Sequence, residues 1–254
     1  MRSFLASFLR LVARDVSLPP ATIADVLLFA AGEKPALRFA VPPSTRAQLD
    51  AWAEGAGLAG AREAVSASPR GQGWIAIEPR ADGDAPCSSA SELVVYARSA
   101  ALAEEIRDRE LAGDPEGAGG LLGYPACCVI AYAEATTASS SPSAWIGAAV
   151  ERAGEQPPRA FCNRLPIAWS APTFVGEIYP CSFACDSLTA IGRRVHALMI
   201  AAGLEALAAR TRTESLRPVR FRPLRPDESA PPAWSAMLPL AVDDPRVPDL
   251  LRPQ

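Results

Sequence analysis

Four of the six cysteines in this 254-residue chain fall in two short segments. The first is Gly123-Tyr124-Pro125-Ala126-Cys127-Cys128, and the second is Tyr179-Pro180-Cys181-Ser182-Phe183-Ala184-Cys185. In each, cysteine closely follows proline. Proline is favoured at a helix start, where its missing N–H is not needed. Both segments are therefore expected to set thiols at helix N-termini. The free N–H groups and the positive end of the helix dipole stabilise anions there, which raises the thiolate fraction. Thiolates bind soft metals and attack electrophiles. Cys127, Cys128, Cys181 and Cys185 are thus the candidate metal- and cofactor-binding residues.

Their spacing sharpens the expectation. Cys181 and Cys185 are i and i+4, and Leu188, Ile191, Val195, Leu198 and Ala202 continue the same helical face, so both thiols are expected to point inward. Successive helical residues differ in direction by about 100°. Of Cys127 and Cys128, one is therefore expected to aim at the cluster, with the other a second ligand or a spare thiol. Fifty-two residues separate Cys128 from Cys181. A 4Fe-4S iron–sulfur cluster accepts thiolates from such distant segments, and three thiolates would leave one iron open to a small-molecule substrate. Lyase or sulfur-transfer chemistry would follow. Zinc is the alternative: Cys181-x3-Cys185 suits a zinc knuckle, but a Cys-Cys pair does not. Thiol redox chemistry and a pure binding module are the further alternatives.

The two motifs together resemble a family of uncharacterised archaeal and bacterial proteins, a domain of unknown function with the pattern Gly-Tyr-Pro-x-Cys-Cys and Pro-Cys-Ser-Phe-x-Cys. The resemblance covers about residues 119–200. It implies that the motif residues belong to one site, and it carries no reaction. The N-terminal third does not share it.

Other groups are thinner. His196 lies 11 residues beyond Cys185, about 16 Å along a helix, too far to share its metal. Cys87 is expected to be an inert thiol, and Cys162 either inert or a neighbour of the site. Glu134, Asn163, Arg164, Trp169, Glu177 and Asp186 are near the motifs in sequence and are candidates to position a substrate. No Ser-His-Asp logic, phosphate loop or nucleotide fingerprint is present.

The elements that must carry these residues read as an α+β fold, with a small mixed N-terminal unit and a helical, cysteine-bearing C-terminal half. The expected divisions are 1–113, 119–210, and a Pro/Arg-rich arm and tail over 211–254. Helices are expected over Thr22–Ala31, from an N-cap at Ser44 to Gly55, and over Ser99–Ala112, Pro125–Ala135, Ser143–Ala153 and Ser182–Gly203. Strands are expected at Ala36–Val41, Trp74–Glu78 and Glu92–Ala97. Gly113–Gly123 is expected to be a loop boundary. Phe4, Leu5, Phe8, Leu9, Leu11 and Val12 form one helical stripe, expected to pack on the core.

Composition narrows the class. Apolar residues make up 49% and the net charge is −3, so no nucleic-acid footprint is expected. Arg217, Arg220, Arg222 and Arg225 read as solvent-facing arginines on a strand or arm or, in the binding-module alternative, as a basic stretch that meets an anionic partner. No apolar run is long enough for a membrane helix, and Arg10 and Arg14 break the N-terminal run. These features predict a cytoplasmic protein, in which clustered cysteines signal metal or catalysis more than disulfides.

Overall fold

The computed structural model describes residues 2–14, 22–70, 74–79, 90–138, 148–149, 151–154, 156, 159–162 and 173–215. Cys87, Asn163, Arg164, Trp169 and the arginines from Arg217 onward lie outside them, as does the expected arm and tail beyond residue 215; residues 211–215, its expected start, are helical instead. The fold is mixed α+β. The chain divides into two units: the first holds Val26–Ser68 and Ile75–Tyr124 with the N-terminal helix, and the second holds the described residues from Pro125 onward with Thr22–Asp25.

The first unit is built around one strand. Leu93-Val94-Val95-Tyr96-Ala97 is a continuous apolar run, the signature of a strand covered on both faces. It forms β4 (Ala90–Ala97) in a four-stranded sheet ordered β1-β4-β2-β3, where β1 is Ala36–Val41, β2 is Ala59–Arg70 and β3 is Trp74–Pro79. β1 and β2 flank β4 antiparallel, so that Ala36 and Ala59 both stand opposite Ala97. On one face, Leu93, Val95 and Ala97 pack with Ala36, Ala61, Ala103, Ile106 and Leu122. That layer draws on α4 (Ala100–Leu111), which packs on α5 (Pro115–Leu121). Near the other face, Tyr96 meets Phe39 and Trp52. Trp52 lies on α3 (Pro43–Gly55) and meets Phe4 and Phe8 of α1 (Arg2–Arg14). The apolar stripe of α1 thus packs inward, with Leu5 and Phe8 buried. Burial of such a side chain contributes about 1.5–3 kcal/mol.

Three expectations change here. β2 carries no β-branched pattern in Ala-Gly-Ala-Arg-Glu-Ala, and pairing with β4 makes it a strand. The α3 helix begins at Pro43 with Pro42 as its cap, not at Ser44, because proline supplies a first turn needing no N–H. The Gly113–Gly123 stretch holds a helix: Asp114 caps it by accepting from the Gly117 N–H at 2.8 Å, and Pro115 opens it. The stretch ends at Gly123, whose φ of +77° suits glycine and whose missing Cβ admits Pro35. Tyr124 then packs against the sheet core and accepts from Lys34 Nζ at 3.4 Å. Gly123 and Tyr124, two motif residues, therefore serve the fold of the first unit.

The second unit contains α6 (Ala126–Ala138), a 3-10 turn (Ala160–Cys162), α7 (Asp186–Ala201) and α8 (Glu205–Ser215). Phe174, Val175, Phe183, Leu188, Val195 and Met199 are fully buried in it. Residues 148–149 and 151–153, within the expected Ser143–Ala153 helix, are helical. Among the described residues, no helix is long and apolar enough to cross a membrane.

Candidate metal centre

The start of α6 supplies two thiols. Pro125 precedes its first helical residue, and the Pro125 carbonyl accepts from the Cys128 and Val129 N–H groups at 2.8 and 3.0 Å. Cys127 and Cys128 therefore occupy the first turn. Cys128 is buried and Cys127 exposed. Their Sγ atoms are nevertheless only 4.0 Å apart. Helical side chains lean toward the N-terminus. In the first turn no preceding turn obstructs them, so adjacent thiols converge over the open helix end despite their divergent Cβ directions. Both thiols of the pair therefore stand in the sulfur group, and of the two readings of the second thiol, ligand or spare, the geometry favours the ligand.

The second segment supplies the other two, by a different route from the one expected. α7 starts at Asp186, four residues after Ser182, so Cys181 is not helical and the i, i+4 face does not include it. Residues 181–184 form a turn instead. Ser182 holds that turn with both its oxygens: its carbonyl accepts from the Cys185 N–H and its hydroxyl from the Ala184 N–H, each at 3.1 Å. Cys185 is the N-cap of α7, its Sγ accepting from the Leu188 N–H at 3.4 Å. A sulfur thus does what an Asp or Ser oxygen usually does at this position.

The four thiols meet. Cys185 Sγ lies 3.8 Å from Cys127 Sγ and 3.9 Å from Cys128 Sγ. All four sulfurs, Cys181 included, lie within 4.8 Å of one another, a group that could hold a metal ion. Charge among the four thiols is unevenly shared. The thiol of Cys128 donates to Cys185 and, with help from the Leu188 N–H, pulls the Cys185 pKa down to about 5 against the cost of burial. Cys128 is pushed up, by that same donated bond and then by burial. Burial pushes Cys181 up to about 12, with the neighbouring Cys185 adding to it. One thiolate and neighbouring protonated thiols is the arrangement that a divalent cation displaces protons from.

Backbone N–H groups support the sulfurs: Leu188 reaches Cys185, and the N–H of Cys181 reaches Cys128. Cys162 stands beside the centre. It is buried, donates to the Ser182 carbonyl at 3.2 Å and accepts from the Cys185 N–H, and burial pushes its pKa up to about 12. Gly192 lets the 3-10 turn approach, since a Cβ there would run into the Phe161 carbonyl oxygen. Tyr132 of α6 stacks on Tyr179, joining the two motif segments beside the sulfurs. The sequence reading missed this pair, although Tyr132 falls four residues after Cys128 and so on its face.

The remaining candidates have other partners. His196 packs edge-on against Phe161 and Phe174. Glu134 pairs with Arg152 at 2.7 Å, and Asp186 pairs with Arg159. The Glu177 N–H donates to Asp25 at 3.3 Å. No protein-family model, curated protein or solved structure matches the chain.

Proposed function

We propose that Cys127, Cys128, Cys181 and Cys185 bind one zinc ion in a closed thiolate tetrahedron that fastens the start of α6 to the turn before α7. The spacing of the sulfurs carries this reading. A zinc–sulfur bond of about 2.3 Å requires tetrahedral sulfurs about 3.8 Å apart. Three of the six separations are 3.8, 3.9 and 4.0 Å, and no pair exceeds 4.8 Å. A four-iron cluster puts a cube of iron and sulfide between its thiolates and sets them on the order of 6 Å apart. Iron–sulfur binding, the first choice on sequence alone, therefore has less support than the zinc alternative.

The same spacing bears on enzymatic activity. Four thiolates fill all four positions of the ion, the hallmark of a structural site; catalytic zinc keeps a position for water or substrate. The open-iron lyase or sulfur-transfer reading loses its basis with the fourth ligand in place. Two helix N-termini and the N–H groups of Leu188 and Cys181 offset the net negative charge of a zinc tetrathiolate. Structural zinc contributes about 10–16 kcal/mol in small domains, comparable to a whole domain's net stability. The motifs that resemble the uncharacterised prokaryotic family would then be the two halves of a zinc site.

Metal analysis of protein purified without oxygen tests this. The expected result is about one zinc per chain without acid-labile sulfide, and intense tetrahedral thiolate absorption when cobalt replaces zinc. Brown protein with iron and sulfide in near-equal amounts would overturn it.

A further inference from the structure

We infer that Cys127 is the thiolate of this centre that peroxide oxidises, and that a disulfide between Cys127 and Cys185 then expels the metal. The inference rests on the zinc reading above. Its first ground is access. Cys128 and Cys185 are buried and Cys181 is half-buried, whereas Cys127 is exposed. An oxidant arriving from solvent meets that sulfur first.

The second ground is electronic. A hydrogen bond donated to a metal-bound sulfur draws off the electron density that an oxidant attacks. Cys185 receives the Leu188 N–H and Cys128 receives the Cys181 N–H. Among the described residues, no N–H group reaches Cys127 Sγ. The most exposed of the four cysteines is thus also one of the two whose sulfur is left without such a bond, and Cys181, the other, is the more covered of them.

The third ground is a partner within reach. Cys185 Sγ is 3.8 Å from Cys127 Sγ, and Cys128 Sγ is 4.0 Å away. A disulfide between Cys127 and Cys128 would close a small ring across a single peptide inside a helical turn, which the backbone of α6 opposes. Cys185 comes from a separate segment and carries no such constraint.

The chemistry balances with a hydroperoxide as oxidant. The Cys127 sulfur attacks one peroxide oxygen: an S–O bond forms, the O–O bond breaks, and hydroxide leaves. The Cys185 sulfur then attacks the Cys127 sulfur: an S–S bond forms, the S–O bond breaks, and a second hydroxide leaves. Two thiolates have given up two electrons, and the peroxide has accepted them. The hydroxides take protons from water or buffer. The zinc ion keeps its oxidation state, loses two of its four ligands and passes to solvent.

Zinc-loaded full-length protein treated with one equivalent of hydrogen peroxide, with a chromogenic zinc chelator present, is the test. The expected result is one zinc released and two thiols lost per peroxide, with peptide mapping joining Cys127 to Cys185. Dimedone added beforehand should trap the first oxidised sulfur as an adduct on Cys127. The Cys162→Ser variant, whose altered side chain lies outside the tetrahedron, should release zinc as the parent does. A zinc-loaded protein that keeps its metal in excess peroxide, whose first adduct is on Cys128, Cys181 or Cys185, or whose disulfide joins Cys127 to Cys128 or Cys181, overturns this inference and leaves the zinc reading standing. Protein that holds no zinc before peroxide is added overturns both.

Discussion

Tyr132 stacks on Tyr179 with ring centroids 5.1 Å apart and planes 26° from parallel. Tyr132 lies one helical turn beyond Cys128, and Tyr179 lies two residues before Cys181. The stack therefore joins the two halves of the sulfur site through side chains that bear no metal ligand. Such a pair is worth about 0.5–1.5 kcal/mol beyond the area it buries. In Tyr132→Ala, zinc affinity should fall by about twofold to tenfold, while Tyr132→Phe should stay within twofold of the parent. Chelator competition measures both. Equal affinities in the alanine and phenylalanine variants would show that the stack does not position the sulfurs.

The ligand set can be separated from its surroundings by single substitutions. Cys128→Ser, Cys181→Ser and Cys185→Ser should each lose most of the bound metal and lower the unfolding temperature, because three thiolates hold zinc more weakly than four and the buried sulfurs leave polar groups behind. Cys162→Ser should keep the metal, since its thiol bonds to the backbone of residues 182 and 185 and does not belong to the four-sulfur group. Cys87→Ser should also keep it. Metal counted per chain after gel filtration checks the series, and full occupancy in Cys181→Ser would remove that residue from the ligand set.

Zinc binding should depend steeply on pH. Cys128 and Cys181 are held above the usual thiol range, Cys181 at about 12, whereas Cys185 is drawn down to about 5. At neutral pH zinc must therefore displace protons from Cys128 and Cys181, and none from Cys185. Those two protons alone make apparent affinity rise by about a hundredfold per pH unit, and fall equally as pH drops. Competition titrations between about pH 6 and 8, with proton release followed in weak buffer, read this directly. A slope of less than tenfold per unit would mean that the thiols are already ionised before the metal arrives.

Gly192 is needed for its size. It faces the Phe161 carbonyl, and a Cβ there meets backbone, which cannot swing aside. Replacing a helical glycine by alanine in open space would stabilise α7 by about 1 kcal/mol. Here Gly192→Ala should instead destabilise by about 1–3 kcal/mol, the usual cost of forcing extra volume into a packed site. Chemical denaturation at fixed zinc concentration measures it, and an alanine variant as stable as the parent would show that the 3-10 turn yields at little cost.

The strands β1 and β4 were legible because Ala36–Val41, apolar but for Arg38, and Leu93–Ala97, apolar throughout, are short enough for strands and too short for helices. β2 was not, because Ala59–Arg70 has little intrinsic strand preference and takes its conformation from β4. The helix at Pro115 was hidden by its glycines, and its cause is local: Asp114 caps it.

The sequence alone singled out the residues that could do chemistry. Two proline-marked segments, each carrying a pair of cysteines, named the four sulfurs and set them at helix starts, with Cys181 and Cys185 read as one helical face. It could not determine how the sulfurs stand to one another. Periodicity gives directions once a helix has begun, but it does not say where the helix begins. That was decided by the Cys185 sulfur accepting from the Leu188 N–H, which starts α7 at Asp186 and leaves Cys181 in a turn. Nor does periodicity apply beyond a helix end, where Cys127 and Cys128 converge. Only the folded chain brings the four sulfurs within 4.8 Å. That distance makes them a group that could hold a metal ion, and it is encoded in no residue type, because it follows from how the two segments fold against each other.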